Sequence, residues 1–170
     1  FPPIPTNVPG IQISSLFPRL ARNADKFSLI RSVHHDVAPT HEKARESLNL
    51  PDATLAGAAQ LSREPKRALK AYGDTAFGRR CLHARQLIER GDRMVCVRMF
   101  DHLINRPTWD AHGYAPFSDF AVYKNVAGPL FDTALSALFE DLTARGLFEE
   151  TIVVCMPEFG RSPRINASGG

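Results

Sequence analysis

No stretch of this sequence approaches the roughly 18 consecutive apolar residues that a bilayer-spanning helix requires, and the opening FPPIPTNVPG has neither a starting Met nor a basic segment followed by an apolar one. The expectation is a chain with no membrane span and no targeting signal of its own. Cysteine is scarce: Cys81, Cys96 and Cys155 are widely spaced, sit in apolar or helical sequence and form no C-x-x-C pattern. That excludes a zinc knuckle and a disulfide scaffold and leaves small buried hydrophobes. There is no internal repeat and no low-complexity tract. A basic stripe interleaved with aromatics is also missing; the net charge of +3 is spread over alternating signs in KARES, REPKRALK and ERGDR. Solvated helix faces account for such charges, and nucleic acid is not an expected partner.

What is present is an ordinary globular composition, 44% hydrophobic and 23% charged over 170 residues, enough for one domain with a sizeable core. Helical and strand patterns alternate along it. Ser14 or Ser15 can cap a helix running to about Asn23, with Leu16, Leu20 and Ala24 at helical spacing and Pro18 in or near the first turn. Phe27 to Val33 reads as a strand. Thr40 can cap a short helix, and Pro51 to Arg63 reads as another, rich in Ala and Leu.

The clearest unit is Thr75 to Arg90, a helix with Phe77, Cys81, Ala84, Leu87 and Ile88 on one stripe, stopped by Gly91 and followed by a strand over Arg93 to Phe100. Its logic repeats downstream. Ala127 to Arg145 places Leu130, Ala134, Leu138 and Leu142 at helical spacing, Gly146 ends it, and Thr151 to Met156 is a run of strand formers. Uninterrupted apolar runs suit strands covered on both faces, so the predicted fold class is α/β, a largely parallel sheet flanked by helices. Sites in such sheets lie beyond the carboxyl ends of the strands.

Three loops fall in that place. In Trp109-Asp110-Ala111-His112-Gly113 a carboxylate and an imidazole are separated by one residue, so in an extended segment they project to the same side and can reach one metal ion. A structural Asp–His turn contact is the competing reading. Glu158, past the last predicted strand, can serve as metal ligand or base, with Arg161 as a bidentate anion clamp, or the two can form a surface pair. The third loop carries His34, His35, Asp36 and His41, further metal-capable side chains that can equally be satisfied loop residues.

The segments GIQISSLFPRLARNADKFSLIRSVHHD, YGDTAFGRRCLHARQLIERG, TWDAHG and PLFDTALSALFEDLTARGLFEETIVVCMPEFGRSPRIN together resemble a bacterial family, domain of unknown function 1501, that is sulfatase-like and belongs to the alkaline phosphatase superfamily. The resemblance runs in order along nearly the whole chain. It implies an alkaline phosphatase-like fold with a divalent metal, zinc or calcium-like, at the strand ends, and hydrolysis of small or glycan-linked sulfate or phosphate esters by an exported protein. The family's W-D-T-H-G is matched by Trp109 to Gly113 with Ala111 replacing Thr; its G-E-F-G-R-T-P is matched by Pro157 to Pro163, with Pro157 departing at the first position. His34, His35, Asp36 and His41 match its His-rich stretch, with Glu42 where glycine is usual.

Family members also carry ligand motifs before the segment matching Phe1 and after the one matching Gly170, and more sequence around Asn49 to Asp52. The resemblance therefore implies a single domain that is incomplete, a fragment truncated at both ends, shortened near 49–52, and inactive at this length. No nucleophile is assigned: Thr40 is available, and Cys81 sits mid-helix, where attack geometry is poor. The rival expectation is an exported metal- or anion-binding scaffold protein without catalysis.

Overall fold

The computed structural model describes residues 1–30, 64–102, 105–157 and 164–170. A two-stranded antiparallel ribbon opens the chain, with β1 (Pro3–Pro5) paired to β2 (Gln12–Ser14) in the register Pro3 to Ser14, Ile4 to Ile13 and Pro5 to Gln12. A 3₁₀ segment, Leu20–Lys26, follows. It begins later than the sequence predicts, because Pro18 and the Ser14–Phe17 turn occupy the expected first turn. Then come the short α1 (Lys66–Ala71), the long α2 (Ala76–Glu89), a single turn α3 (Phe120–Val122) running through a π turn (Tyr123–Ala127) into α4 (Gly128–Ala144), and a 3₁₀ turn at Phe148–Glu150.

The two long helices form where the sequence places them. Thr75 caps α2, its side chain accepting from the Gly78 amide at 3.1 Å, and Gly91 leaves the helix at φ +100°. Pro129 stands at the start of α4, where its missing N–H is harmless, and Gly146 stops that helix at φ +70°. Their apolar stripes pack together. Tyr72, Phe77, Cys81 and Leu82 meet Ala134, Leu135, Leu138 and Leu142 in one core, which Leu20 and Ala21 of the 3₁₀ segment close from the N-terminal side.

Ion pairs reinforce that interface at its buried edge. Arg85 is 1% exposed and holds three carboxylates, Glu64 at 2.6 Å, Glu89 at 2.7 Å and Asp141 at 2.9 Å. Arg145 completes the lattice, reaching Asp141 at 2.8 Å and Glu89 at 2.6 Å, and Tyr72 donates to Asp141 at 3.1 Å. Deeper in the molecule, Asp132 of α4 accepts the backbone amides of Arg19 and Leu20 and thereby anchors the 3₁₀ segment. Burial pushes the Asp132 carboxyl above its ordinary range against those amides, and burial likewise pushes the Cys81 thiol up.

The parallel sheet is absent among the described residues. Among the described residues the β1–β2 ribbon is the whole of the sheet structure, so the alkaline phosphatase-like α/β class predicted from the sequence does not describe this fold. Phe27–Ile30 and Thr151–Met156 form no ladder, Arg93–Phe100 contributes an isolated bridge residue at Cys96, and 31–33 lie outside the described residues. The predicted helices at Thr40 and over Pro51 to Arg63 lie outside them as well.

The apolar runs meet the core on one side only, not on both faces as expected. Val97, Met99 and Val153 rest on the helical core, while Met94, Ile152, Val154 and Met156 point outward, Ile152 at 90% exposure. These segments pack against the helices without regular secondary structure. An apolar run states what its side chains avoid; it does not supply the hydrogen-bonding neighbour that makes a strand.

Candidate functional site

The Asp110–His112 loop is built around Ser118. The Ser118 carbonyl accepts the amides of both His112 and Gly113 at 2.9 Å, its own amide donates to the Asp110 carbonyl at 3.0 Å, and its hydroxyl accepts the fully buried Thr108 amide at 2.9 Å. Thr108 in turn takes the Asp110 amide on its hydroxyl at 3.1 Å. Ala111 is fully buried between the two candidate ligands, so Asp110 and His112 must project outward together. The alternation read from the sequence is real here.

Those side chains meet. His112 Nε2 lies 2.9 Å from Asp110 Oδ1, with the side chains 41% and 27% exposed. The imidazole packs on the Phe117 ring, centroids 4.3 Å apart, and Tyr114 stands beyond it at 6.0 Å. Behind the loop, Trp109 is anchored by an edge contact to Tyr123, whose hydroxyl donates to the Trp109 carbonyl, and by an indole N–H to Met99 Sδ contact. The wall that carries the pair is therefore aromatic and continuous with the helical core through Phe131.

A divalent ion fits this arrangement by distance. Two ligand atoms held about 2.0–2.2 Å from one ion at tetrahedral or octahedral angles stand roughly 2.8–3.6 Å apart. The 2.9 Å between Nε2 and Oδ1 falls in that range. It is also a hydrogen-bond distance, so a proton and a metal ion would compete for the same gap.

Residues 51–170 match the profile of a family described as a protein of unknown function (DUF1501). The chain belongs to that family. No curated protein and no solved structure matches it.

Within the DUF1501 match lie Asp110, His112, Glu158 and Arg161; His34, His35, Asp36 and His41 lie before it. The structure brings Asp110 and His112 together, whereas Glu158, Arg161 and the four residues of the His-rich stretch lie outside the described residues. Among the described residues no group of three or more His, Cys, Asp or Glu is placed to hold a metal ion. No described helix is long and apolar enough to cross a membrane.

Residues that the sequence reading missed shape this site most. Ser118 is the hub of the loop, and Asn166 and Gly170 pack against its outer side. Their signal is turn chemistry, Ser118 before Asp119 and Asn166 in N-A-S-G-G, which marks a turn without saying what it packs on.

Proposed function

We propose that Asp110 and His112 are two ligands of a divalent-metal site, zinc or calcium-like, in a hydrolase acting on small or glycan-linked sulfate or phosphate esters. The observation that carries this reading is the convergence of Nε2 and Oδ1 to 2.9 Å on a half-buried lip with a hydrogen-bonded base. A bound divalent ion would polarise an ester oxygen and bring the pKa of a coordinated water from about 15.7 toward about 7. Asp110 supplies a hard anionic oxygen, His112 a neutral nitrogen, and the Phe117 ring holds the imidazole plane. Glu158, with His34, His35, Asp36 and His41, completes the proposed ligand set, and Arg161 neutralises the ester oxygens. The motif resemblance supports these assignments and also supports export.

Cys81 has no place as the nucleophile. It is 2% exposed inside α2, and burial raises its thiol well above the ordinary range, so little thiolate exists near neutral pH.

The test is elemental analysis of the purified chain and of Asp110→Ala and His112→Ala, followed by assays with aryl sulfate and aryl phosphate esters. Divalent metal retained by the parent and lost by both variants is the expected result. Equal metal content in all three overturns the reading, and a longer member of the family that binds the metal without ester turnover points to the rival, an exported binding or scaffold protein.

A further inference from the structure

The Asp110–His112 loop is held on its inner side by Ser118, and its outer side is covered by the turn Asn166 to Gly170. Asn166 Nδ2 donates to the His112 carbonyl at 3.0 Å. The other end of the same amide closes the turn on itself: Asn166 Oδ1 accepts the amides of Ser168 at 2.9 Å and Gly170 at 3.1 Å. Backbone bonds between Asn166 and both Gly169 and Gly170 finish the turn, and the Phe120 amide donates to the Gly169 carbonyl at 3.1 Å, tying it to the start of α3.

The contact between turn and loop is backbone against backbone. A Cβ built at Gly170 would fall inside the peptide joining His112 to Gly113, and one built at Gly113 would strike the Ser168 carbonyl. Gly113 also sits at φ +80°, a conformation that disfavours a side chain. The turn and the loop thus fit only because both carry glycine where they touch.

We infer that the Asn166–Gly170 turn positions His112: it holds the His112 carbonyl while Ser118 holds the His112 amide, and with them the direction of the imidazole toward Asp110. Asn166 is a positioning residue, since it touches neither side chain of the pair. The inference rests on the metal-site reading for its consequence, and on the hydrogen bonds and the glycine contacts for its geometry.

Asn166→Asp isolates the relevant bond. An aspartate keeps the oxygen that accepts from Ser168 and Gly170 but replaces the donor to the His112 carbonyl by a second acceptor. Gly170→Ala is the companion variant, which disturbs the same contact by volume. Zn²⁺ alone is titrated into the full chain and both variants by calorimetry, and the His112 ring signals of the metal-free proteins are compared by NMR. Outer-shell partners of metal ligands typically contribute 10- to 100-fold in affinity, so a loss of about that size is expected, with shifted ring signals and an unchanged unfolding midpoint. Parental Zn²⁺ affinity in both variants overturns the inference. Should the parent itself fail to bind Zn²⁺, the metal-site reading falls, and the ring signals alone then decide: moved in Asn166→Asp, the turn positions His112; unmoved, it does not.

Discussion

Arg85 of α2 donates from Nε to Asp141 Oδ2 of α4 at 2.9 Å, while its Nη1 and Nη2 donate to Glu89 and Glu64. The side chain is 1% exposed, so this fork is part of the interface between the two long helices rather than a surface decoration. Replacing Arg85 by Met would remove the cation shared by Glu64, Glu89 and Asp141, leaving Arg145 to the last two. Removing one partner of a buried pair costs about 3–5 kcal/mol. Urea unfolding of Arg85→Met should show a loss of that order, and a loss under about 1 kcal/mol would show that water takes over the role of the guanidinium.

The same lattice gives stability a dependence on acid. For Glu64, burial raises the carboxyl, but hydrogen bonds from Arg85 and Gln86 and the Arg85 charge outweigh it and hold the group below its ordinary 4.5. For Asp141, burial again raises, and the Arg145 hydrogen bond, the two arginine charges and the Tyr72 hydroxyl bring it below 3.8. A carboxyl depressed in the folded state contributes stability that is complete above its unfolded value and fades as pH falls through the folded one. Asp132 has the opposite sign, raised by burial, so its ionised form opposes folding and protonation relieves it. Unfolding free energy should therefore hold from neutral pH down to roughly 4.5 and fall below that. In Arg85→Met the acid limb should be shallower; an identical limb would place the acid sensitivity elsewhere.

Ser118→Ala removes the acceptor for the fully buried Thr108 amide while leaving the Ser118 backbone bonds in place. An orphaned buried donor costs roughly 1–3 kcal/mol. Faster hydrogen exchange at Thr108, His112 and Gly113, with α2 and α4 amides unchanged, is the expected pattern. Uniform protection would mean that the hydroxyl is dispensable to the loop.

Ile152, Val154 and Met156 project from a run free of charge, and the backbone N–H groups of 152–156 make no backbone hydrogen bond among the described residues. A short, apolar, exposed segment of this kind is a template for pairing with other chains. Ile152→Lys with Val154→Lys should change stability by no more than about 0.5 kcal/mol, since neither residue is in the core, while raising the concentration at which the protein remains clear. Light scattering against concentration measures this, and unchanged scattering would show that the segment does not drive association.

The helices were readable because every level of the sequence agreed on them. Thr75 and Gly91 bracket α2, the Phe77, Cys81, Ala84 and Leu87 stripe fills its inner face, and Pro129 and Gly146 do the same service for α4. The sheet was misread because Thr151 to Met156 satisfies the pattern of a buried strand by side chains alone, and pairing depends on a neighbour that the segment does not encode. The contact between Asp110 and His112 was readable from their two-residue spacing, which survives any fold that extends the loop. Asn166 was not, because its partner His112 lies 54 positions away and meets it through a backbone carbonyl that leaves no trace in sequence.

Asp132 reaches the amides of Leu20 and Arg19 across 112 and 113 positions of chain. The encounter of α2 with α4 closes a far shorter loop, and loop closure is the part of folding that must be completed before a contact rewards it. The helix pair can thus dock first, with the N-terminal ribbon arriving after the rate-limiting barrier. Asp132→Ala would then accelerate unfolding and leave the refolding rate almost untouched. In a stopped-flow chevron the refolding arms of parent and variant should superimpose while the unfolding arm of the variant lies higher; a displaced refolding arm would put the N-terminal anchor inside the folding nucleus.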